Sequence, residues 1–384
     1  MTPLKWSHTR IALASATLLL AACHGSGEPH NGVEVPPQAF IRSVNVIGDS
    51  LSDVGTYGIR FTVQAAASET PYPLWTELVA QKSGTLCSFY QAKNLEAPAD
   101  LQFNPACGSY AVAGARITHV AQDSGLDIVQ QMKAVRAQIG TAGFGTHRLL
   151  LIDGGGNDVA ELLKRFTALA AKQPLNMADY DAKLVPVLSD VQRQQLQKAL
   201  AAAKPDVPTL FSLYLKALAH YFIQAIETEL IGAGAQYVVI MDIPDITLTP
   251  EFSALKTRLP TGFETLTRDG IRLFNQTLQA HFAASPDAQK VIVVSAFEQM
   301  TAWVNNPAAY GFNNTSDAVC PPGEVPRLQN MAQCTDTNLQ ARGVTDWNSY
   351  IFSDDFHPTP RGHQLMADAT LAAMAAKGWP VLGH

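Results

Sequence analysis

Two short motifs near opposite ends of the chain contain the side chains that a nucleophilic serine requires. A serine hydroxyl is a weak nucleophile until a histidine accepts its proton, and a carboxylate usually fixes the tautomer of that histidine. Ser50 lies in the sequence GDSLSD, and His357 follows Asp354 by three residues in the sequence DDFHPT. In a turn, this spacing lets the carboxylate reach Nδ1 while Nε2 faces elsewhere. The motifs predict acyl-transfer chemistry with Ser50 as nucleophile, His357 as general base and Asp354 as its orienting partner.

The first motif follows directly after a predicted β-strand. Residues 43–47 (SVNVI) are rich in β-branched side chains and stop at Gly48, a residue type that permits a tight turn. Later runs share the continuous apolar character of strands covered on both faces, at residues 147–152, 236–243 and 290–295. Helical patterns alternate with them, at residues 125–140, 159–171, 214–231, 268–284 and 361–377. The alternation predicts a three-layer α/β/α fold around a central, mostly parallel sheet, with the catalytic groups at the carboxyl ends of its strands.

The chain between the second and third predicted strands is longer than a simple crossover requires. Residues 191–204 (VQRQQLQKALAAAK) are rich in strong helix formers. We therefore predict an inserted helical segment at about residues 160–232. Two roles stay open for it, a subdomain that overhangs the reactive serine and a decoration of the surface. The apolar residues 214–231 could line a substrate pocket, but packing against the sheet explains them more simply.

Four motifs occur in the order in which GDSL (SGNH) hydrolases contain them. GDSLSD resembles the first motif, SYAVAGA at residues 109–115 the second, GGND at residues 155–158 the third and DDFHPT the last. The resemblance runs from residue 48 to residue 357 and so covers most of the chain. It implies a flavodoxin-like (SGNH) fold and serine-dependent hydrolysis of carboxylic esters, as in esterases and lipases, without a metal or cofactor.

The same resemblance implies an oxyanion hole. It assigns the backbone N–H groups of Ser50 and Gly114 and the side-chain amide of Asn157 to this role. Donors of this kind stabilise the developing charge by about 3 to 4 kcal/mol each. Glycine and asparagine also stabilise turns without a catalytic role. Ser353 precedes Asp354, where many related bacterial lipases and phospholipases carry Trp, which weakens an assignment to that branch.

The motifs leave the substrate class open. A carboxylic ester or lipid is expected, and a phospholipase or an acyltransferase acting on membrane lipids is the alternative enzyme. A surface lipoprotein that binds a partner on a hydrolase scaffold without turnover is the alternative outside catalysis. A competing Ser-x-x-Lys pattern at residues 253–256 lacks its companion Ser-Asp-Asn and Lys-Thr-Gly elements, so chance explains it better.

The first residues have the pattern of an export signal. Lys5 and Arg10 precede an apolar run that is too short to span a bilayer and ends in LAAC at Cys23. This ending resembles the bacterial lipoprotein box, which implies a signal peptide over residues 1–22 and lipid attachment at Cys23. Residues 23–40 are then a flexible tether and residues 41–384 the hydrolase domain. We expect a lipid-anchored protein of the cell envelope, in the outer membrane of a Gram-negative bacterium; a secreted or periplasmic protein is the alternative.

The other four cysteines indicate disulfides in an oxidising compartment. Pairing neighbours would join Cys87 to Cys107 and Cys320 to Cys334, but four cysteines allow three connectivities, and four free buried thiols are a further alternative.

The charge distribution does not suit nucleic acid, because the formal net charge is -6 and no dense Lys/Arg block occurs. The histidines at 119, 147, 220 and 281 are isolated, which predicts no metal site. Asp49 and Asp53 are expected to bond nearby turn amides.

Overall fold

A computed structural model describes residues 40–66, 69–93, 101–117, 126–170, 173–177, 182–202, 204–323 and 327–383. The predicted signal peptide over residues 1–22, the lipid-attachment residue Cys23 and the tether up to residue 39 lie outside these ranges. Those predictions therefore stay predictions.

The strands of the described residues are mostly short. They are β1 (Phe40–Ile41), β2 (Ser43–Ile47), β3 (Tyr90–Ala92), β4 (Leu101–Phe103), β5 (Arg148–Ile152), β6 (Tyr237–Met241), β7 (Val291–Val294), β8 (Asn314–Ala318), β9 (Tyr350–Phe352) and β10 (Val381–Leu382). Four of them form the central sheet in the order β2-β5-β6-β7, and every pair is parallel. The predicted parallel α/β architecture is confirmed.

Both faces of the central sheet are buried, which explains why its strands are apolar throughout. Ile47 and Ile152 pack into one hydrophobic core, whereas Val46 and Leu151 pack into a second core on the opposite face. Successive side chains of a strand point to opposite faces, so a strand covered on both sides cannot alternate between apolar and polar residues.

Helices cover the two faces as separate layers. They are α1 (Trp75–Ala80), α2 (Ile128–Ile139), α3 (Gly156–Ala170), α4 (Asp190–Ala201), α5 (Val207–Ala225), α6 (Pro250–Leu255), α7 (Phe263–Ala284), α8 (Ala296–Asn305), α9 (Pro307–Tyr310), α10 (Arg327–Gln333), α11 (Asp336–Ala341) and α12 (Pro360–Ala376). The apolar faces of α2, α3, α5 and α7 fill one core, and those of α1, α8 and α12 fill the other. The sheet is therefore the middle layer of three.

Helices α3, α4 and α5 lie between β5 and β6, in the region expected to contain a helical insertion. Helix α5 continues as a π-helix over Ile226–Ile231 and packs closely against α7. Its apolar side chains belong to the core, including Phe211, Leu215 and Phe222, which are at most 1% exposed. Core packing therefore accounts for the apolar run at residues 214–231. This was the simpler of its two interpretations, the other being the lining of a substrate pocket.

Residues 108–112, which we call the outer segment, extend the sheet beyond β2. The N–H of Val46 donates to the carbonyl of Gly108, the N–H of Tyr110 donates to the carbonyl of Val46, and the N–H of Val112 donates to the carbonyl of Gly48. The chain thus leaves β2 toward one side and later returns on its other side as β5. In open α/β sheets such a switch point forms a crevice at the carboxyl ends of the strands, and Ser50 lies there.

Two disulfides join the cysteines that are neighbours in sequence. Cys87 bonds to Cys107, and Cys320 bonds to Cys334, with Cα–Cα distances of 4.9 and 5.8 Å. Neither the other connectivities nor four free thiols apply. No helix within the described ranges combines the length and apolar character that crossing a membrane requires.

Candidate active site

Ser50, His357 and Asp354 form a continuous hydrogen-bonded chain. Oγ of Ser50 lies 2.7 Å from Nε2 of His357, and Nδ1 of His357 lies 2.8 Å from Oδ2 of Asp354. The three residues are 5%, 2% and 1% exposed, so bulk water competes little for these bonds. With Nδ1 donating to the carboxylate, Nε2 is the ring atom that accepts the serine proton.

The loop between β9 and α12 presents both Asp354 and His357. The backbone N–H groups of Phe356 and His357 donate to Oδ1 of Asp354 at 2.9 and 2.6 Å, so the carboxylate builds the turn that brings the imidazole to it. The phenyl ring of Phe61 lies 4.9 Å from the imidazole, centroid to centroid. The three-residue spacing is therefore a geometric requirement of this turn.

Ser353 closes the base of the catalytic loop. Its N–H donates to the carbonyl of His357 at 2.7 Å, and its hydroxyl donates to the carbonyl of Pro358 at 2.8 Å. The hydroxyl of Thr62 donates to the same carbonyl at 3.0 Å, and the N–H of Cys320 donates to the carbonyl of Ser353 at 2.7 Å. The residue that differs from Trp in related lipases thus fixes the loop through hydrogen bonds.

Charges around the loop distinguish Asp354 from Asp355. Burial raises the pKa of Asp354, but the charges of His357 and Arg327 and the hydrogen bonds from His357 outweigh it and lower this pKa to about 2. Asp355 instead pairs with Arg327, whose Nη2 lies 2.6 Å from its Oδ1 and 3.2 Å from Oε2 of Glu251. Asp354 is the carboxylate that faces the imidazole.

The loop after the outer segment places Gly114 near the switch point. Gly114 has a φ of +82°, a conformation that favours glycine. The carboxylate of Asp53 accepts the N–H of Ala113 at 2.9 Å and the N–H groups of Gly55 and Thr56 at 3.0 and 2.7 Å. Asp53 therefore positions this loop. The bonds confirm the expectation that Asp53 binds the amides of nearby turns.

Two backbone donors at the site are free to bind an oxyanion. Within the part of the chain that the structure describes, the N–H groups of Ser50 and Gly114 donate to no protein group. Asn157 lies in the first turn of α3, and its Nδ2 donates to the carbonyl of Ala115 at 3.0 Å and to Oδ2 of Asp49 at 3.3 Å. The longer bond is the one that a developing oxyanion could replace.

A buried pair of carboxylates beneath Ser50 escaped the sequence analysis. Oδ1 of Asp153 accepts the N–H of Asp49 at 2.8 Å, and the hydroxyl of Ser52 donates to Oδ2 of Asp153. Burial raises the pKa of Asp153 to about 6, and burial together with the charge of Asp153 raises that of Asp49. No local sequence pattern signals this pair, because its members lie 104 positions apart.

Close approach to Asp153, and not a turn conformation, is the reason for glycine at position 48. A Cβ on Gly48 would lie 2.3 Å from Oδ1 of Asp153. The amide side chain of Gln131 bonds to both backbone groups of Gly48, at 2.8 and 2.9 Å. The expectation that Gly48 serves a tight turn therefore gave the wrong physical reason for its presence.

A mainly apolar cavity of about 20 Å³ is lined by residues that are next in sequence to Ser50 and His357. Its walls include Leu51, next to the nucleophile, and Phe356, next to the base. Its other apolar lining residues include Ile246, Met300 and Trp303. The last two belong to α8, a helix that the sequence pattern did not predict. Across the described ranges, no cluster of three or more His, Cys, Asp or Glu side chains is arranged to hold a metal ion.

The sequence profile of a protein family described as GDSL-like Lipase/Acylhydrolase matches residues 44–370. Curated relatives include GDSL esterase/lipases of Arabidopsis thaliana. One is 24% identical over 362 residues, covering 90% of this chain and 89% of its own. Another is 25% identical over 173 residues, covering 44% of each. Lipase 1 of Photorhabdus luminescens is 29% identical over 24% of this chain and 13% of its own. The matches span less than two thirds of the length of several of these relatives.

Among solved structures, the chain resembles an extracellular lipase from Streptomyces rimosus. The identity is 14%, the coverage is 86% of this chain and 99% of that chain, and the TM-score is 0.37. A family two carbohydrate esterase from Clostridium thermocellum has 12% identity and a TM-score of 0.35, with coverage of 89% of this chain and 66% of that chain.

Proposed function

We propose that the protein, which belongs to the GDSL-like lipase/acylhydrolase family, hydrolyses carboxylic esters through an acyl-enzyme intermediate on Ser50. The observation that carries the proposal is the hydrogen-bonded chain from Ser50 through His357 to Asp354. A nucleophile, a base and an oriented carboxylate in contact are the requirements of serine-based acyl transfer.

The reaction follows from the roles of these atoms. Nε2 of His357 takes the proton as Oγ of Ser50 attacks the ester carbonyl, and the oxyanion binds the N–H groups of Ser50 and Gly114. The amide of Asn157 joins them by exchanging its bond to Asp49 for one to the oxyanion. Collapse of the intermediate releases the alcohol, which takes the proton from His357. Water then attacks the acyl-enzyme with the same base and the acid leaves.

The surroundings of the site favour an ester with an apolar acyl group. The walls beside the nucleophile and the base are apolar, and Leu51 and Phe356 are both only partly buried. We further propose that the enzyme acts at the cell envelope, held by a lipid on Cys23, because the LAAC sequence resembles a lipoprotein box. A membrane-held enzyme would encounter apolar esters at high local concentration.

Covalent labelling tests the proposal. A fluorophosphonate probe should modify the wild-type protein at Ser50 and should fail to modify Ser50→Ala. Both Ser50→Ala and His357→Ala should lose turnover of p-nitrophenyl esters by about 10⁶-fold. Ser253→Ala is the matched control, because Ser253 is an exposed serine of the competing Ser-x-x-Lys pattern. Equal turnover by wild type and Ser50→Ala would exclude the mechanism.

A further inference from the structure

A second cavity lies at the opposite end of the sheet from Ser50. It is lined by the first residues of β2 and β5 and by the outer segment, including Arg42, Asn45, Tyr110 and Arg148. We call it the Arg42/Arg148 cavity. No acidic residue of the described chain lines it, although the protein has a net charge of -6.

Arg148 is held in place without a counter-charge. Its Nη1 donates to Oδ1 of Asn45 at 2.5 Å, and Nδ2 of Asn45 donates to the carbonyl of Gly108 at 3.1 Å. These bonds fix the orientation of the amide and of the guanidinium. The Nε of Arg148 is buried and has no hydrogen-bond partner among the described residues. An unsatisfied buried N–H costs free energy, so this side chain keeps donor capacity that the protein itself does not use.

Arg42 adds a second cation to the same cavity. Ser43, its neighbour in sequence, is paired with Arg148 across the parallel strands, and both arginines are among the residues that line the cavity. Across the ranges that the structure covers, neither guanidinium lies within 4 Å of a carboxylate. Burial raises the pKa of Tyr110 to about 12, and the nearby charge of Arg148 opposes this rise. Two arginines without a carboxylate partner among the described residues, together with Tyr110, thus line one polar cavity.

We propose that the Arg42/Arg148 cavity binds a phosphate-bearing ligand. A guanidinium presents N–H donors in a fixed fork that matches the oxygens of phosphate, and two arginines match its double charge. The ligand could be a soluble phosphomonoester or the headgroup of a phospholipid. This site is independent of ester hydrolysis, because it lies at the amino ends of the strands whose carboxyl ends carry Ser50.

The test measures thermal unfolding of the purified protein with increasing inorganic phosphate, at an ionic strength held constant with sodium chloride. Phosphate should raise the melting temperature of wild type and of Ser50→Ala alike, because it binds the folded state only. Arg148→Gln should require at least tenfold more phosphate for the same shift. Arg42→Gln should weaken the response as well, and its exposed side chain makes the variant safe for folding.

Arg258→Gln is the matched control, since it removes one positive charge from an exposed residue that does not line the cavity. Its phosphate response should equal that of wild type. The proposal would be overturned if phosphate raised the melting temperature of Arg148→Gln and Arg42→Gln as much as that of wild type. It would also be overturned if wild type responded neither to phosphate in this assay nor to phosphatidic acid in the vesicle assay below.

Vesicles separate the two sources of phosphate. Ser50→Ala is mixed with phosphatidylcholine vesicles that contain or lack phosphatidic acid, and the bound fraction is measured by flotation. A lipid headgroup is supported if binding depends on phosphatidic acid and is tenfold weaker in the double variant Ser50→Ala/Arg148→Gln than in Ser50→Ala. Stabilisation by inorganic phosphate that Arg148→Gln abolishes, with unchanged vesicle binding, supports a soluble phosphomonoester.

Discussion

The Asp354 carboxylate has two tasks at the scale of the residue. It accepts two backbone N–H groups that form the catalytic turn, and it accepts Nδ1 of His357. Asparagine has nearly the same shape and retains one oxygen for the backbone, but its NH₂ group faces a ring nitrogen that must then act as an acceptor. The ring would be held in the tautomer that leaves Nε2 protonated.

We therefore expect Asp354→Asn to fold and to lose about 10⁴-fold in kcat, a smaller loss than that of Ser50→Ala. Steady-state kinetics with a p-nitrophenyl ester measure the loss, and the melting temperature checks the fold. A kcat within tenfold of wild type would show that the carboxylate does not set the tautomer.

The sequence predicted which three side chains meet at the candidate site but not their surroundings. Asp354 and His357 were identifiable from their spacing, and Ser50, Gly114 and Asn157 from the motifs that contain them. Asp153 was invisible, since only the parallel pairing of β2 and β5 brings its carboxylate to Asp49. Interactions that depend on tertiary structure leave no local pattern.

The Asp153 carboxyl predicts a pH dependence of stability. Its folded-state pKa of about 6 lies above the ordinary value of 3.8, so its contribution to stability is present below pH 3.8 and is lost as the pH rises through 6. Relative to Asp153→Asn, wild type should lose about 2 kcal/mol of unfolding free energy between pH 4 and pH 7. Urea unfolding of both proteins at several pH values measures this difference. A difference that is constant with pH would contradict the assigned pKa.

At the scale of the elements, the site is formed by the carboxyl ends of neighbouring strands and by the residues that follow them. Ser50 follows β2, Gly114 follows the outer segment, and Asn157 follows β5. The four strands of the central sheet were predictable to within two residues because their continuous apolar runs reflect burial on both faces. The short helices α1 and α8 lacked such a signal.

Residues 305–349 illustrate the limit of pattern reading. Their many Pro, Asn and Gly residues are typical of a loop, but the structure places β8, α9, α10 and α11 within this range. These elements have four to seven residues each. Isolated segments of this length are unstable, so packing and the disulfide, not propensity, decide their structure.

The loop that carries Gly114 gives a prediction at this scale. A Cβ at Gly114 would meet no atom within 4 Å, so Gly114→Ala adds only the strain of its positive φ, about 1 kcal/mol. A change in the backbone would redirect the N–H, and we expect kcat to fall about 10- to 100-fold with little change in KM. Gly378→Ala is the matched control, because it has a φ of +69° and equally open space beyond α12. Similar kcat values in both variants would remove Gly114 from the oxyanion hole.

At the scale of the whole molecule, the two disulfides join different parts of the chain to the sheet. Cys320 donates its N–H to the carbonyl of Ser353, at the base of the catalytic loop. Cys107 lines the Arg42/Arg148 cavity, and the carbonyl of its partner Cys87 accepts the N–H of Ser109 at 3.1 Å. One bridge thus supports the loop that presents the base, and the other supports the opposite end of the sheet.

Removing each bridge should therefore affect stability equally and activity unequally. The bridges close loops of 14 and 20 residues, so the double variants Cys320→Ser/Cys334→Ser and Cys87→Ser/Cys107→Ser should each lose about 3 kcal/mol of unfolding free energy. At a temperature where both variants are folded, kcat should fall more for Cys320→Ser/Cys334→Ser, because only that variant frees the catalytic loop. Urea unfolding and ester turnover measure the two effects. Equal kcat values would mean that the hydrogen bonds of Ser353 and Thr62 hold the loop without the disulfide.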